Sequence, residues 1–268
     1  MELEKLLFET FSYRSFRPGQ REVIASVLDG HDTLAVLPTG SGKSLCYQLP
    51  GIIREGTTLI VSPLLSLMQD QVEKLRLKGE KRVVAFNSFL SFSERTRVLG
   101  NIASYKFIYI SPEMLQNEKV LSALKTLQIQ LFVVDEAHCI SQWGYDFRPD
   151  YLTLGEIRKA LNDPQVLALT ATARKRVRDD IKFHLRIPNA KEFVYSVDRP
   201  NIALVVEKFT RQREKQERLE ELVVNLQGPG IIYFSSKKMA DDYADYFRKK
   251  GVQVASYHAD IEQEQRIL

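Results

Sequence analysis

Leu37-Pro38-Thr39-Gly40-Ser41-Gly42-Lys43-Ser44 is the stretch that decides how this chain is read. An apolar run, Thr33-Leu34-Ala35-Val36-Leu37, precedes it and reads as a buried strand. Ser44-Leu45-Cys46-Tyr47-Gln48-Leu49 follows and continues as a helix. A strand, a glycine-rich turn and a helix start are the context of a phosphate-binding loop. Gly40 and Gly42 lack a Cβ, so the backbone from Thr39 through Ser41 can curl and gather several N–H groups around one anion. The helix start adds unpaired N–H groups and a positive dipole end. Lys43 is placed to reach the β- and γ-phosphates, and the Ser44 hydroxyl to hold Mg²⁺. The strict phosphate-loop pattern opens on glycine, and that position here holds Leu37.

Working outward, the 268 residues suffice for one large domain or two ordinary ones. Hydrophobic residues at 44% and charged residues at 27% describe a globular protein with an ample core. The net charge of +4 permits an anionic partner without identifying one. Cys46 and Cys139 each lie beside a motif and read as small buried thiols, not as a disulfide or a metal pair. The acidic start, Met1-Glu2-Leu3-Glu4-Lys5, has no signal-peptide pattern, and no apolar run approaches the roughly 20 residues of a membrane span. A cytoplasmic location, nucleoid-associated in a bacterium or nuclear in a eukaryote, is the expectation, with no membrane partner.

Residues 1–12 carry Leu3, Leu6, Leu7 and Phe11 at helical spacing. Pro18 suits the first turn of a second helix reaching Leu28. Beyond the glycine turn, strands are expected at 57–61, 83–86, 107–110, 131–135 and 166–170. Helices are expected at 64–77, 91–104, 114–127, 151–161 and 173–185. Continuous apolar strands between helices imply a parallel sheet covered on both faces, with ligands at the strands' carboxyl ends. The irregular stretch from Ser196 to Ile202 reads as a linker. Past it, a solvated helix over 211–226 with mixed charges, a strand at 231–234, a helix over 237–250 and a strand at 252–256 are expected. The division drawn is 1–206 and 207–268.

Val133-Val134-Asp135-Glu136-Ala137-His138 places two carboxylates at the end of a buried strand. Such a pair suits ATP hydrolysis with Mg²⁺: Asp135 for the metal shell, Glu136 to orient and deprotonate a water. In Leu169-Thr170-Ala171-Thr172-Ala173, Thr170 and Thr172 can bond His138 or a neighbouring loop and relay the nucleotide state. Thr172 can equally cap helix 173–185.

Together these motifs resemble superfamily 2 helicases, and among them the RecQ family of DNA helicases. The resemblance is carried by Tyr13-Arg14-Ser15-Phe16-Arg17-Pro18-Gly19-Gln20, by the glycine turn and by Val61-Ser62-Pro63-Leu64-Leu65-Ser66-Leu67-Met68-Gln69-Asp70-Gln71. It continues through the unbroken run from Asp135 to Tyr151, then Leu169 to Ala173, then Asp198-Arg199-Pro200-Asn201-Ile202. It implies a RecA-like α/β fold, a phosphate-loop parallel sheet sandwiched by helices, followed by an incomplete second RecA-like lobe. It also implies that Gln20 reads an adenine edge, with Tyr13 stacking on the base and Arg17 nearby. A glutamine amide can pair bidentately with that edge. Trp143, Tyr145 and Phe147 would meet single-stranded DNA, Arg148 would add charge, and Gln142 would join His138 in coupling. Aromatic faces stack on any base, so such a loop grips without reading sequence; packing into a core is the other use of the same residues. Ser62 and Gln69 would touch the DNA backbone, as would Ser111-Pro112-Glu113.

The implied activity is ATP-dependent unwinding of duplex DNA by movement 3′ to 5′ along one strand, in repair and recombination. The family's late arginine-finger motif is absent from these residues, and Arg266 stands in no such context. Its zinc module and winged helix are absent too. An arginine finger is worth about 10³–10⁵ in rate in related ATPases, so these 268 residues alone are expected to bind ATP but not to unwind. An RNA-directed ATPase of the same superfamily and a non-catalytic nucleotide-binding fragment are the alternative readings.

Overall fold

In the computed structural model, the described residues are 2–87, 90–144, 146–196, 198, 201–225, 228–258 and 260–261. Tyr145, parts of the linker at 197, 199 and 200, and the stretch 262–268 with Arg266 lie outside them. The chain divides into two compact units, Met1–Asn201 and Ile202–Leu268.

The first unit opens with α1 (Glu2–Phe11) and α2 (Gln20–Leu28), then β1 (Thr33–Val36) and α3 (Leu45–Ile53). Next come β2 (Thr57–Val61), α4 (Leu65–Leu77), β3 (Val83–Phe86), α5 (Phe92–Gly100) and β4 (Phe107–Ile110). The unit finishes with α6 (Glu118–Leu124), β5 (Ile129–Val134), α7 (Leu154–Ala160), β6 (Val166–Thr170), α8 (Lys175–His184) and β7 (Lys191–Val194). The seven strands form one parallel sheet in the order β3-β4-β2-β5-β6-β1-β7. β1 joins β6 on one side and β7 on the other, with Val36 opposite Thr170. β5 lies between β2 and β6, with Val134 opposite Val61 and Ala168.

Side chains alternate along each strand, so adjacent residues serve different cores. Ala35, Ile60, Tyr109, Val133 and Leu167 pack with Leu7, Val23, Ile24, Met68 and Val72, from α1, α2 and α4. Leu34, Val61, Ile108, Val134 and Ala168 pack on the other face with Val98, Leu124, Ile157 and Ile181, from α5 to α8. This double burial is why β1 to β6 are nearly unbroken apolar runs. β7 is different. Its Lys191, Glu192 and Val194 are exposed, as befits an edge strand, and hydrophobic continuity does not reveal it.

Several expected helices are shorter than their apolar pattern. The 91–104 segment splits into α5 and a 3-10 turn, Ile102–Ser104; 114–127 is a 3-10 turn, Pro112–Gln116, followed by α6. The 151–161 segment is likewise the turn Pro149–Thr153 followed by α7. α2 begins after Pro18, because Gly19 at φ 85° is left-handed and cannot be a helical residue. α8 starts at Lys175 with Arg174 at its cap. Thr172 does not cap it; its N–H is bonded by the Thr170 hydroxyl at 3.3 Å.

In the second unit, α9 (Gln212–Asn225) has no buried residue and carries ion pairs such as Arg213–Glu217. α10 (Lys237–Lys249) buries Ala244 and Phe247, with Tyr243 stacked on Phe234 at 4.8 Å between centroids. The expected strands at 231–234 and 252–256 do not form. Ile231 and Tyr233 are largely exposed, and an apolar run without a ladder partner and a covering layer has nothing to hold it as a strand. Among the described residues, no helix is long and apolar enough to cross a membrane.

Candidate functional site

The glycine turn leaves β1 beside β6, where the Leu37 N–H donates to the Thr170 carbonyl at 3.0 Å. Gly40 at φ 80° and Gly42 at φ 76° make the bend. A side chain on Gly42 would also strike the Gln20 amide, its Cβ lying 2.7 Å from Nε2. Lys43 is half-buried; its carbonyl accepts from the Cys46 N–H at 3.0 Å, while its ammonium makes no hydrogen bond or ion pair among the described residues. Its charge nonetheless acts on both carboxylates of the neighbouring motif. The ammonium is thus uncommitted in a site with two carboxylates nearby.

Gln20 is buried, and its amide is fully committed. Nε2 donates to the carbonyls of Ser41 at 2.8 Å and Gly42 at 3.0 Å, while Oε1 accepts from the Arg17 N–H at 2.9 Å. The Arg17 guanidinium donates to the Gly40 carbonyl. In this state, the residues expected to meet the base therefore brace the turn. Beside them a cavity of about 350 Å³ is lined by Tyr13, Arg17, Gln20, Gly42, Ser44 and Lys78 among others. Tyr13 is about half exposed there.

Asp135 follows β5, its N–H donating to the Val61 carbonyl at 2.9 Å. The buried Tyr151 hydroxyl donates to the Asp135 carbonyl at 3.0 Å. Burial first, and then the Glu136 charge, push the Asp135 carboxyl up to about 6. Its carboxylate accepts from the Glu136 N–H at 3.0 Å. A carboxylate short of positive charge at a strand end fits a hard cation shared with phosphates, which needs only one or two protein oxygens. No cluster of three or more metal-ligating side chains exists among the described residues.

Glu136 adopts a left-handed backbone, φ 46° and ψ 46°, unusual for this residue. His138 Nδ1 lies 3.3 Å from Glu136 Oε2 and 2.9 Å from Thr170 Oγ1. The Thr170 hydroxyl donates to the Thr172 carbonyl at 3.2 Å, so it accepts from His138, which assigns the proton to Nδ1. The hydrogen bond from His138 is the first cause holding the Glu136 carboxyl below its usual range. Glu136, His138, Thr170 and Thr172 thus form one polar chain from β5 to β6.

The loop after His138 is anchored at both ends. The buried Ser141 hydroxyl donates to Asp180 of α8 at 2.5 Å and accepts from the Trp143 N–H at 3.1 Å. Arg148 donates to the Pro63 carbonyl at 3.2 Å, tying the loop to the end of β2. Between these anchors Trp143 is 63% exposed, and the Arg176 guanidinium lies 3.7 Å above its ring. Trp143 is therefore surface, not core. Gln142 is exposed, and Phe147 is half-buried. A cavity of about 680 Å³ joins Trp143 to His138, Thr172, Arg174 and Tyr195. Of the residues expected to touch a nucleic-acid backbone, Gln69 is exposed. Ser62 and Ser111 are 2% exposed, so neither hydroxyl presents itself to a strand; both belong to buried strand ends. Ser141, Asp180, Tyr151 and Lys78 escaped the sequence reading, because no spacing rule marks a residue whose role is to hold another.

Comparison with known proteins agrees with this geometry. The family model described as DEAD/DEAH box helicase matches residues 17–181. The chain is 52% identical, over its whole length and 54% of the relative's, to a Bacillus subtilis protein named probable ATP-dependent DNA helicase RecS. It is 41% identical to the ATP-dependent DNA helicase RecQ of Pasteurella multocida, over 97% of this chain and 41% of that one. The chain thus spans about half or less of the curated relatives' length. Among solved structures, Saccharomyces cerevisiae Dbp5 bound to RNA and ADP BeF3 superposes with a TM-score of 0.75 at 20% identity, covering 98% of this chain and 68% of that one. That likeness establishes the RecA-like helicase fold.

Proposed function

The chain belongs to the DEAD/DEAH box helicase family, and on that premise we propose that it is the nucleotide-binding part of a RecQ-type, ATP-dependent DNA helicase. Lys43 and the turn's N–H groups hold the triphosphate. Asp135 and Ser44 would hold Mg²⁺, which would supply charge neutralisation on the transferred phosphoryl group. Glu136 orients the attacking water and takes its proton; its depressed carboxyl keeps it ionised and ready. His138 carries the state of Glu136 to Thr170 and Thr172, and Gln142 and the anchored loop pass it to the strand. Tyr13, Arg17 and Gln20 meet the base once Gln20 exchanges its hold on the turn. Strand contacts come from Trp143, Phe147, Arg148 and Gln69, with Tyr145 in the same loop; movement is 3′ to 5′, as the RecQ resemblance implies, and a role in repair and recombination is consistent with the relatives' RecQ and RecS names. The observation that carries the reading is the unbroken polar chain from Glu136 through His138 to Thr170, opening into the cavity that Trp143 lines.

Trp143 is the sole tryptophan, so intrinsic fluorescence reports on this loop directly. Titration with a single-stranded DNA, in the presence of Mg²⁺ and a non-hydrolysable ATP analogue, is expected to quench that emission. RNA of the same sequence is expected to bind more weakly. Equal or tighter RNA binding favours the RNA-directed reading, and an unchanged spectrum with DNA bound removes Trp143 from the interface.

A further inference from the structure

α4 ends in a hydrogen-bonded cap that fixes one lysine in space. The Gly79 N–H donates to the Arg76 carbonyl at 3.0 Å and the Glu80 N–H to the Leu75 carbonyl at 3.1 Å, with Gly79 left-handed at φ 94°. This is the Schellman arrangement, and it holds the backbone of Lys78 at the helix C-cap. From there the side chain crosses to the segment after α1. Its Nζ lies 4.8 Å from the centroid of the Phe11 ring and 4.2 Å from that of Tyr13, and it donates to the Tyr13 hydroxyl at 3.0 Å. The two rings are 6.2 Å apart and within 12° of parallel. These distances place the ammonium off the line joining the ring centres, on the side of the Tyr13 hydroxyl.

The asymmetry of the two rings matters. Phe11 is 5% exposed and belongs to the core, whereas Tyr13 is 48% exposed and is not held by burial. What holds Tyr13 is the packing of Phe11 and the contact with the Lys78 ammonium. Tyr13 and Lys78 together line the cavity that Gln20 and Gly42 also line. We propose that Lys78 is a positioning residue for the nucleobase: it braces the Tyr13 ring, by a cation–π contact and a hydrogen bond, as a preformed platform for the adenine. The proposal rests on the reading of Tyr13 as the base-stacking residue. A platform already ordered spares the nucleotide the cost of ordering it, so the gain appears in binding and not in the chemical step. Among the described residues the Lys78 ammonium makes no hydrogen bond or ion pair with the phosphate turn or with a carboxylate, so a base-free triphosphate is expected to sense it little.

The test compares ATP with inorganic tripolyphosphate, which has no base, by titration calorimetry with Mg²⁺ on the full chain. Lys78→Ala is expected to weaken ATP binding about three- to tenfold and to leave tripolyphosphate within twofold. Lys78→Arg, which keeps the cation, is expected to recover most of the loss. Tyr13→Ala serves as the control for the underlying reading and should weaken ATP at least as much. If Tyr13→Ala weakens ATP and Lys78→Ala does not, the brace is wrong while the base platform stands. If neither substitution matters, the base does not stack on Tyr13 and both ideas fall. Equal weakening of ATP and tripolyphosphate by Lys78→Ala also overturns the proposal, since the lysine would then act on the phosphates.

Discussion

At the scale of the residue, the two adjacent carboxylates are driven in opposite directions by their surroundings. Asp135 sits where ionisation is unfavourable, and Glu136 beside a histidine that favours it. The difference lies in their neighbours: burial and the Glu136 charge act on Asp135, and His138 acts on Glu136. A consequence for stability follows from the sign of the Asp135 shift. Its carboxyl titrates near 6 in the folded chain against 3.8 when free, so the fold favours the protonated form. The stability this group contributes is fullest below about pH 4 and is lost as pH rises through about 6. The loss amounts to about 1–3 kcal/mol, allowing for solvent at its open side. Asp135→Asn is therefore expected to raise the thermal midpoint of the nucleotide-free chain at pH 7.5 by about 3–8 °C, with the gain shrinking toward pH 4. Thermal denaturation across that range checks it; a midpoint that falls at every pH would mean the carboxylate is already neutralised within the fold.

At the scale of the element, each strand end in the site is fixed from its far end as well. Arg158 of α7 is 8% exposed and gathers the opposite edge of the sheet. It donates to the carbonyls of Pro164 at 2.9 Å and Arg186 at 3.0 Å, and pairs with Asp32 at 3.3 Å. Asp32 in turn accepts from the Val166 N–H at 2.7 Å, so the starts of β1 and β6 share one anchor. Arg158→Met removes the guanidinium that bonds the carbonyls of Pro164, Leu185 and Arg186 and pairs with Asp32. It is expected to cost about 2–4 kcal/mol, read as a lowered denaturation midpoint, with Mg-nucleotide affinity unchanged within twofold. A loss of affinity at full stability would instead place Arg158 in the site. The elements also mark what the sequence discloses. β1 to β6 were legible because each is buried on both faces and so nearly all apolar. β7 was not, because an edge strand exposing Lys191 and Glu192 carries no such signature. The runs at 231–234 and 252–256 misled in the other direction: their β-branched and aromatic residues have strand propensity, but propensity without a ladder does not make a strand. In the site, motif residues were legible from chemistry and spacing. The commitment of Gln20 to the glycine turn, the Ser141–Asp180 anchor and the Lys78 brace depend on contacts between distant segments, which no local pattern encodes.

At the scale of the whole molecule, the sheet order explains why one strand end can serve nucleotide and nucleic acid together. β1 with the glycine turn and β5 with the carboxylates flank β6, whose Thr170 touches both: its carbonyl receives the turn and its hydroxyl receives His138. Three neighbouring strands thus report on one another at their carboxyl ends. The central claim is that Lys43 and Asp135 address a single magnesium nucleotide. Calorimetric titration of the chain with AMP-PNP, with and without Mg²⁺, tests it most directly. The account predicts one equivalent bound with Mg²⁺, loss of binding in Lys43→Ala, and in Asp135→Asn a residual affinity that no longer depends on Mg²⁺. Wild-type affinity in Lys43→Ala, or an undiminished Mg²⁺ dependence in Asp135→Asn, would contradict it.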